Sequence, residues 1–232
     1  MNTKPLFTSW AVLVIALLVA AGTASADEVT VTLNTTPLTT LPGTSAAPFS
    51  LAFQLLQGSQ PNNNTATISD FTFGVGGSSG SGCPAVLLPC TFGGASGGIA
   101  SSVSLNTSSA FNALIGSFTP GDWLSFHLDL TTNVDTGGTP DAFAFSILES
   151  SGGSIPTLDP TGADTLLTIN IDSANPAILT YATDSSRNTL RGSGPSITMD
   201  APIVTPEPGT LSLLSTGILF AGTLLLRRKK MA

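Results

Sequence analysis

Apolar and polar residues alternate with a period of two along most of the chain interior, the pattern of strands that bury one face. Val29, Val31 and Leu33 alternate with Thr30 and Thr32, and Phe49, Leu51, Phe53 and Leu55 with Ser50, Ala52 and Gln54. Leu124, Phe126, Leu128 and Leu130 alternate in the same way with Ser125, His127 and Asp129. Shorter runs repeat the theme at Phe71 and Phe73, at Val103 and Leu105, at Phe143, Phe145 and Ile147, at Leu167, Ile169 and Ile171, and at 178–183 and 197–199. No interior segment keeps a long helical period; 110–118 is the one stretch that reads as a short helix. Segments rich in Gly, Pro, Asn and Asp separate the strands, and the longest, 57–66 and 74–98, are expected as rim loops. Strand spacing is irregular, so no internal repeat is read. The pattern predicts an all-β fold, an antiparallel β-sandwich of jelly-roll-like type.

The two ends follow different rules. Residues 10–21 are twelve apolar residues after a single Lys4, and Ala24, Ser25 and Ala26 supply the small residues that a signal peptidase reads. This predicts a signal peptide over 1–26, with the exported chain starting at Asp27. At the other end 211–226 are sixteen residues without a charge. As a helix they span roughly 24 Å, and Gly209 and Thr210 lengthen the span to a membrane-crossing helix over 209–226. Arg227, Arg228, Lys229 and Lys230 then form a basic stop, which the positive-inside rule leaves in the cytoplasm. Both ends predict export, with the domain over 27–204 outside the inner membrane.

Immediately before that span stand Thr205, Pro206, Glu207 and Pro208. A Pro-Glu-Pro tripeptide, an apolar helix and a basic tail, in this order at the chain end, resemble the PEP-CTERM sorting signal of Gram-negative bacteria. The resemblance covers 205–232. It implies that an integral-membrane exosortase cuts at or near Pro206, Glu207 and Pro208, which serve as recognition residues, in a host that makes extracellular polysaccharide. Two prolines keep such a segment extended, a form that a protease can bind as a strand. The interior stretches "LNTTPL", "LAFQLLQGSQPNNNTATISDFTFG", "LTTNVD" and "TPDAFAFSILES" are similar to parts of other PEP-CTERM ectodomains, for which no activity transfers. The resemblance implies an exported envelope or matrix protein, anchored in the inner membrane by its C-terminal helix until processed and then associated with exopolysaccharide, and with no pattern that supplies a working catalytic site the expected function is non-enzymatic. Its partners would be signal peptidase, the exosortase and that polysaccharide.

Charge removes one class of partner. Only 9% of the residues are charged, and of the seven bases only Arg187 and Arg191 fall between 27 and 205, whereas of the 14 acids only Glu207 lies beyond Thr205. Such an acidic domain has no basic stripe for a phosphate backbone, so nucleic acid is excluded as a main ligand. Gly and Pro, 24 and 16 residues, suit a turn-rich β protein.

Candidate chemistry is sparse. Cys83 and Cys90 enclose "PAVLLP", and in an exported chain they are expected to pair, stapling a rim loop; zinc would need further ligands, and His127 is the only histidine. Ser125, His127 and Asp129 are the residue types of a catalytic triad, but three side chains standing in parallel on one strand do not converge as a triad requires. Asp129, Asp135 and Asp141 surround the loop "TTNVDTGGTP" and offer oxygen ligands for a structural calcium, or form a solvated acidic loop. The glycines of 74–82 lack the Lys and Ser/Thr of a phosphate loop. Trp123 shares a face with Ser125 and His127, opposite the apolar row, so its indole either points outward or lies beneath a loop. With Tyr181, the other large amphipathic aromatic of the domain, it is a candidate contact for sugar rings. A carbohydrate-binding module is therefore the alternative function, with a secreted glycoside hydrolase behind it. No pattern calls for a cofactor.

Overall fold

The computed structural model describes residues 26–39, 49–59, 63–134, 138–173, 176–184, 186–187, 198–199 and 203–205. In chain order the strands are β1 (Ala26–Asn34), β2 (Phe49–Leu56), β3 (Thr65–Thr72), β4 (Ser78–Ser79), β5 (Thr91–Phe92), β6 (Ser96–Gly97) and β7 (Val103–Asn106). They continue with β8 (Phe111–Thr119), β9 (Trp123–Thr131), β10 (Asp141–Leu148), β11 (Leu167–Ile171), β12 (Ile178–Thr180), β13 (Thr198–Met199) and β14 (Ile203–Thr205). The described helices are a four-residue turn, α1 (Thr36–Thr39), and a 3-10 turn over Ala85–Leu87. All pairings are antiparallel, in two sheets: β13-β1-β9-β3-β7-β6, with β14 also on β1, and β12-β11-β10-β2-β8-β4, with β5 also on β8.

The fold is an all-β sandwich, as the alternation predicts. The inward rows of both sheets meet in a single core that includes Val31, Leu51, Phe53, Ile68, Leu105, Phe126, Phe143 and Phe145. Phe53 and Phe145 stack at 5.1 Å in the second sheet, and both meet Phe126 of the first edge-on, at 5.4 and 5.2 Å. Such ring pairs add about 0.5–1.5 kcal/mol each beyond area burial.

The helix expected over 110–118 is not found: this stretch is β8, paired with β2 from Leu56↔Phe111 to Phe49↔Phe118. Apolar residues on both faces imitate a helical pattern. Leu114 and Phe118 enter the core, while the other edge of β8 is covered by the segment expected as a rim loop. There β4 pairs at Thr119 and Phe118 and β5 at Leu114 and Ala113. Between them Gly80 N–H donates to Ser117 O (2.7 Å), Ser117 N–H to Gly82 O (2.8 Å) and Ile115 N–H to Cys90 O (2.8 Å). Residues 78–92 thus act as one interrupted edge strand, with 83–90 looped out. Gly116 is required nearby, because a Cβ there would stand 2.9 Å from two carbons of Ile99, whose side chain fills the gap.

A bulge interrupts β3. Ser69 faces His127 but Thr72 faces Ser125, so one extra residue is inserted, and Asp70 takes φ 53°. Ser69 and Asp70 both turn outward, which lets Phe71 and Phe73 rejoin the core row.

The register gives the sandwich two distinct ends. At the near end lie the start of β1 and the end of β14, and there the chain passes from β2 to β3, β7 to β8, β9 to β10 and β11 to β12. At the far end the chain passes from β1 to β2, β3 to β7, β8 to β9, β10 to β11 and β12 to β13. The N- and C-terminal limits of the sandwich therefore share one end, and most of the long connections lie at the other.

Candidate functional site

Outward positions of the first sheet make a polar face centred on β9. Across β9, Glu28 stands opposite Asp129 and Thr32 opposite Ser125 on one side, and Ser69 opposite His127 on the other. His127 Nδ1 is 3.3 Å from Glu28 Oε1 and 3.4 Å from Asp70 Oδ2, the latter brought over by the bulge. Ser125 Oγ accepts from Thr32 Oγ1 at 3.3 Å. The imidazole is therefore flanked by carboxylates of neighbouring strands, and Ser125 bonds to Thr32, so the row has no triad geometry. Asp70 was not singled out by sequence reasoning; its signal is the break in alternation between Ile68 and Phe71.

Trp123 opens β9 opposite Asn34 on the outer face that its row predicts, and of the two placements expected there it is 38% exposed. Tyr181 follows β12 in the other sheet, where its N–H donates to Leu166 O (3.0 Å) and its ring is half-buried. The two aromatics stand on different sheets at the far end and share no ring contact among the described residues.

The acidic loop divides. Asp129 is exposed on the outer face of β9, whereas Asp141 is 1% exposed. Asp135 lies outside the described residues. Asp141 Oδ1 accepts from Gly58 N–H (2.7 Å) and Oδ2 from the Asn64 amide (2.8 Å). Asn64 is itself buried, and the same amide donates to Asn133 O (2.9 Å) while its Oδ1 accepts from Asn133 N–H (2.9 Å) and Thr131 Oγ1 (3.2 Å). The pair ties two near-end connections, through Gly58 and Asn64 on one side and Asn133 on the other, to the ends of β9 and β10. Among the described residues no group of three or more His, Cys, Asp or Glu is arranged to hold a metal ion.

Cys83 and Cys90 form the expected disulfide, with Cα atoms 5.5 Å apart. It closes the excursion at the outer edge of β8 and leaves Leu88, 64% exposed, in solvent. A small apolar cleft of about 210 Å³ runs beside it, lined by Gly82, Cys90, Gly98, Ile99, Leu114 and Gly116 among others.

At the far end two acidic clusters order the connection from β10 to β11. Burial opposes ionisation of Asp159, but its carboxylate accepts from the hydroxyl and N–H of both Thr165 and Thr161, and these bonds hold its pKa below the ordinary value. Arg187 closes the second cluster: it bonds Asp184 Oδ2 (2.8 Å), Asp164 Oδ1 (2.6 Å) and the carbonyl of Thr157. Hydrogen bonds from Ser186 and Arg187 bring the Asp184 pKa down to about 2, and those carboxylates in turn raise that of Arg187. The bonds of Asp159 to Thr161 and Thr165 and of Asp184 to Ser186 and Arg187 are local, whereas those of Arg187 to Asp164 and Thr157 join residues distant in sequence, which no local pattern announced.

Pro206, Glu207, Pro208, the 209–226 span, Arg227 to Lys230, and residues 1–25 lie outside the described residues. Among the described residues no helix is long and apolar enough to cross a membrane. No protein-family profile matches the sequence, and no curated protein or solved structure shows significant similarity to it.

Proposed function

We propose that the chain is an exported, non-enzymatic envelope or extracellular-matrix protein, delivered with a signal peptide and held in the inner membrane by its C-terminal helix. An exosortase then processes it at Pro206, Glu207 and Pro208, and the freed sandwich associates with exopolysaccharide. The observation that carries this reading is the ordered array of tripeptide, uncharged 209–226 span and basic Arg227, Arg228, Lys229 and Lys230. A disulfide suits an oxidising compartment. For the jelly-roll-like pattern, successive long strands mostly alternate between sheets, while β9 takes the place between β1 and β3. Replacing Pro206, Glu207 and Pro208 together by Ala tests the reading: in the native host the variant should accumulate unprocessed in the inner membrane, and processing at the wild-type rate would refute it.

The outward indole of Trp123 favours a second reading, a carbohydrate-binding module, because an exposed aromatic can stack on a sugar ring. It predicts that Trp123 fluorescence shifts on titration with soluble host polysaccharide and that Trp123→Ala lowers retention on that polysaccharide. No shift together with unchanged retention would remove it.

A further inference from the structure

The last strand and the sorting tripeptide are contiguous. In β14, Ile203 pairs with Thr30, Val204 with Val29 and Thr205 with Glu28, and Pro206 follows Thr205 directly in sequence. The same stretch of β1 is held on its other side by β9, through Thr30↔His127, Val29↔Leu128 and Glu28↔Asp129. β14 is thus a three-residue edge strand laid on a firmly paired neighbour. The expected signal-peptidase bond, between Ala26 and Asp27, lies just before Glu28, the partner of Thr205.

We propose that β14 is a latch on the sorting site: while it is zipped onto β1, the residues N-terminal to the tripeptide are withheld from the sorting enzyme, and their release from the sheet sets the rate of processing. This inference rests on the PEP-CTERM reading. A processing enzyme takes an extended substrate through main-chain hydrogen bonds to residues flanking the bond to be cut. Here the flanking residues are Ile203, Val204 and Thr205, whose main chain is already engaged by β1. Tight attachment leaves no spacer between sandwich and tripeptide, so the enzyme would meet the near end of the folded domain before it reached an extended peptide. A short edge strand is suited to such a role, because it can open locally while β1 stays paired with β9.

The directly opposed pair Thr30 and Ile203 allows a reversible test, since residues opposite each other in an antiparallel pair have Cα atoms within disulfide reach. Full-length Thr30→Cys/Ile203→Cys is expressed in the native host, and conversion of precursor to product is followed by pulse-chase with and without a membrane-permeant reductant. The expected result is that the cross-linked precursor is processed at least about tenfold more slowly than wild type, a change of ~1.4 kcal/mol in barrier, and that reduction restores the rate. Both single-cysteine variants should behave as wild type. Successive N–H groups of a strand point to opposite edges, so of Ile203→Pro and Val204→Pro one breaks a bond to β1 and the other does not. One should therefore speed processing and the other leave it unchanged. Cross-linked precursor processed at the wild-type rate, failure of the cysteines to cross-link, or equal rates for the two proline variants would overturn the latch. If wild type is itself never processed, the sorting reading has failed instead.

Discussion

Replacing Asn64 by Ala should open the near end of the sandwich. Its side chain makes four hydrogen bonds: to Asp141 Oδ2, to Asn133 O, and from Asn133 N–H and Thr131 Oγ1. At about 1 kcal/mol for each neutral bond and about 2 for the bond to a carboxylate, the gross loss is about 5 kcal/mol. Part returns, because Thr131 Oγ1 has a second partner in the carbonyl of Thr65 and the half-buried Asn133 can be hydrated. A net loss of about 3–4 kcal/mol remains, most of it from leaving Asp141 Oδ2 buried without the amide. For a domain of this size that lowers Tm by about 10 °C. Asn64→Asp is a sharper probe. It sets a second carboxylate where the amide nitrogen lies 2.8 Å from Asp141 Oδ2, so its penalty should exceed that of Asn64→Ala at neutral pH and shrink on acidification, as one shared proton relieves the repulsion. Urea unfolding of the purified exported protein, followed by circular dichroism at several pH values, measures both. A cost below about 1 kcal/mol for Asn64→Ala, or a pH-independent penalty for Asn64→Asp, would refute the claim that this buried network holds the near-end connections.

Replacing Cys83 and Cys90 by Ser should cost about 2.5 kcal/mol, the chain-entropy value for a closed loop of eight residues, with the core signal in near-ultraviolet circular dichroism retained; a loss above about 5 kcal/mol would mean that the bond holds more than the edge of β8. Asp184, whose pKa is lowered from the ordinary 3.8 to about 2, contributes stability that is complete above about pH 4 and fades as pH falls toward 2. The stability gap between wild type and Asp184→Asn should therefore close over that interval in acid titrations followed by fluorescence, and a gap that widened on acidification would contradict the assignment.

Much of the fold was legible because apolar and polar residues alternate along its long strands, even in β2, whose Ser50 and Ala52 are buried as well. The rows ending at Leu33, Leu55 and Leu130 alternate cleanly, and each became a long strand in the expected orientation. The pattern failed at β8, where apolar Ala113, Leu114 and Ile115 follow one another without a polar alternation, so that 110–118 looked helical. The 74–98 segment offers no alternating row at Ser78–Ser79 or Thr91–Phe92, where β4 and β5 pair through their main chains on the edge of β8. Of the candidate site residues, Cys83 and Cys90 were readable from spacing and compartment, and the outward direction of Trp123 from its place in a period-two row. The His127, Glu28 and Asp70 cluster was not, because it depends on which strands become neighbours and on a one-residue bulge. Asn64 with Asp141, and Arg187 with Asp164, are tertiary in the same sense.

The most direct measurement of the central claim is the intact mass of the protein recovered from the envelope and medium of its native host, compared with a host lacking the exosortase. The account predicts a product that starts at Asp27 and ends at or near Pro206, Glu207 and Pro208, with its Cys83–Cys90 bond intact, and a membrane-bound form retaining 209–230 in the host without the enzyme. A mature product that still carries Arg227, Arg228, Lys229 and Lys230 in the intact host would contradict it.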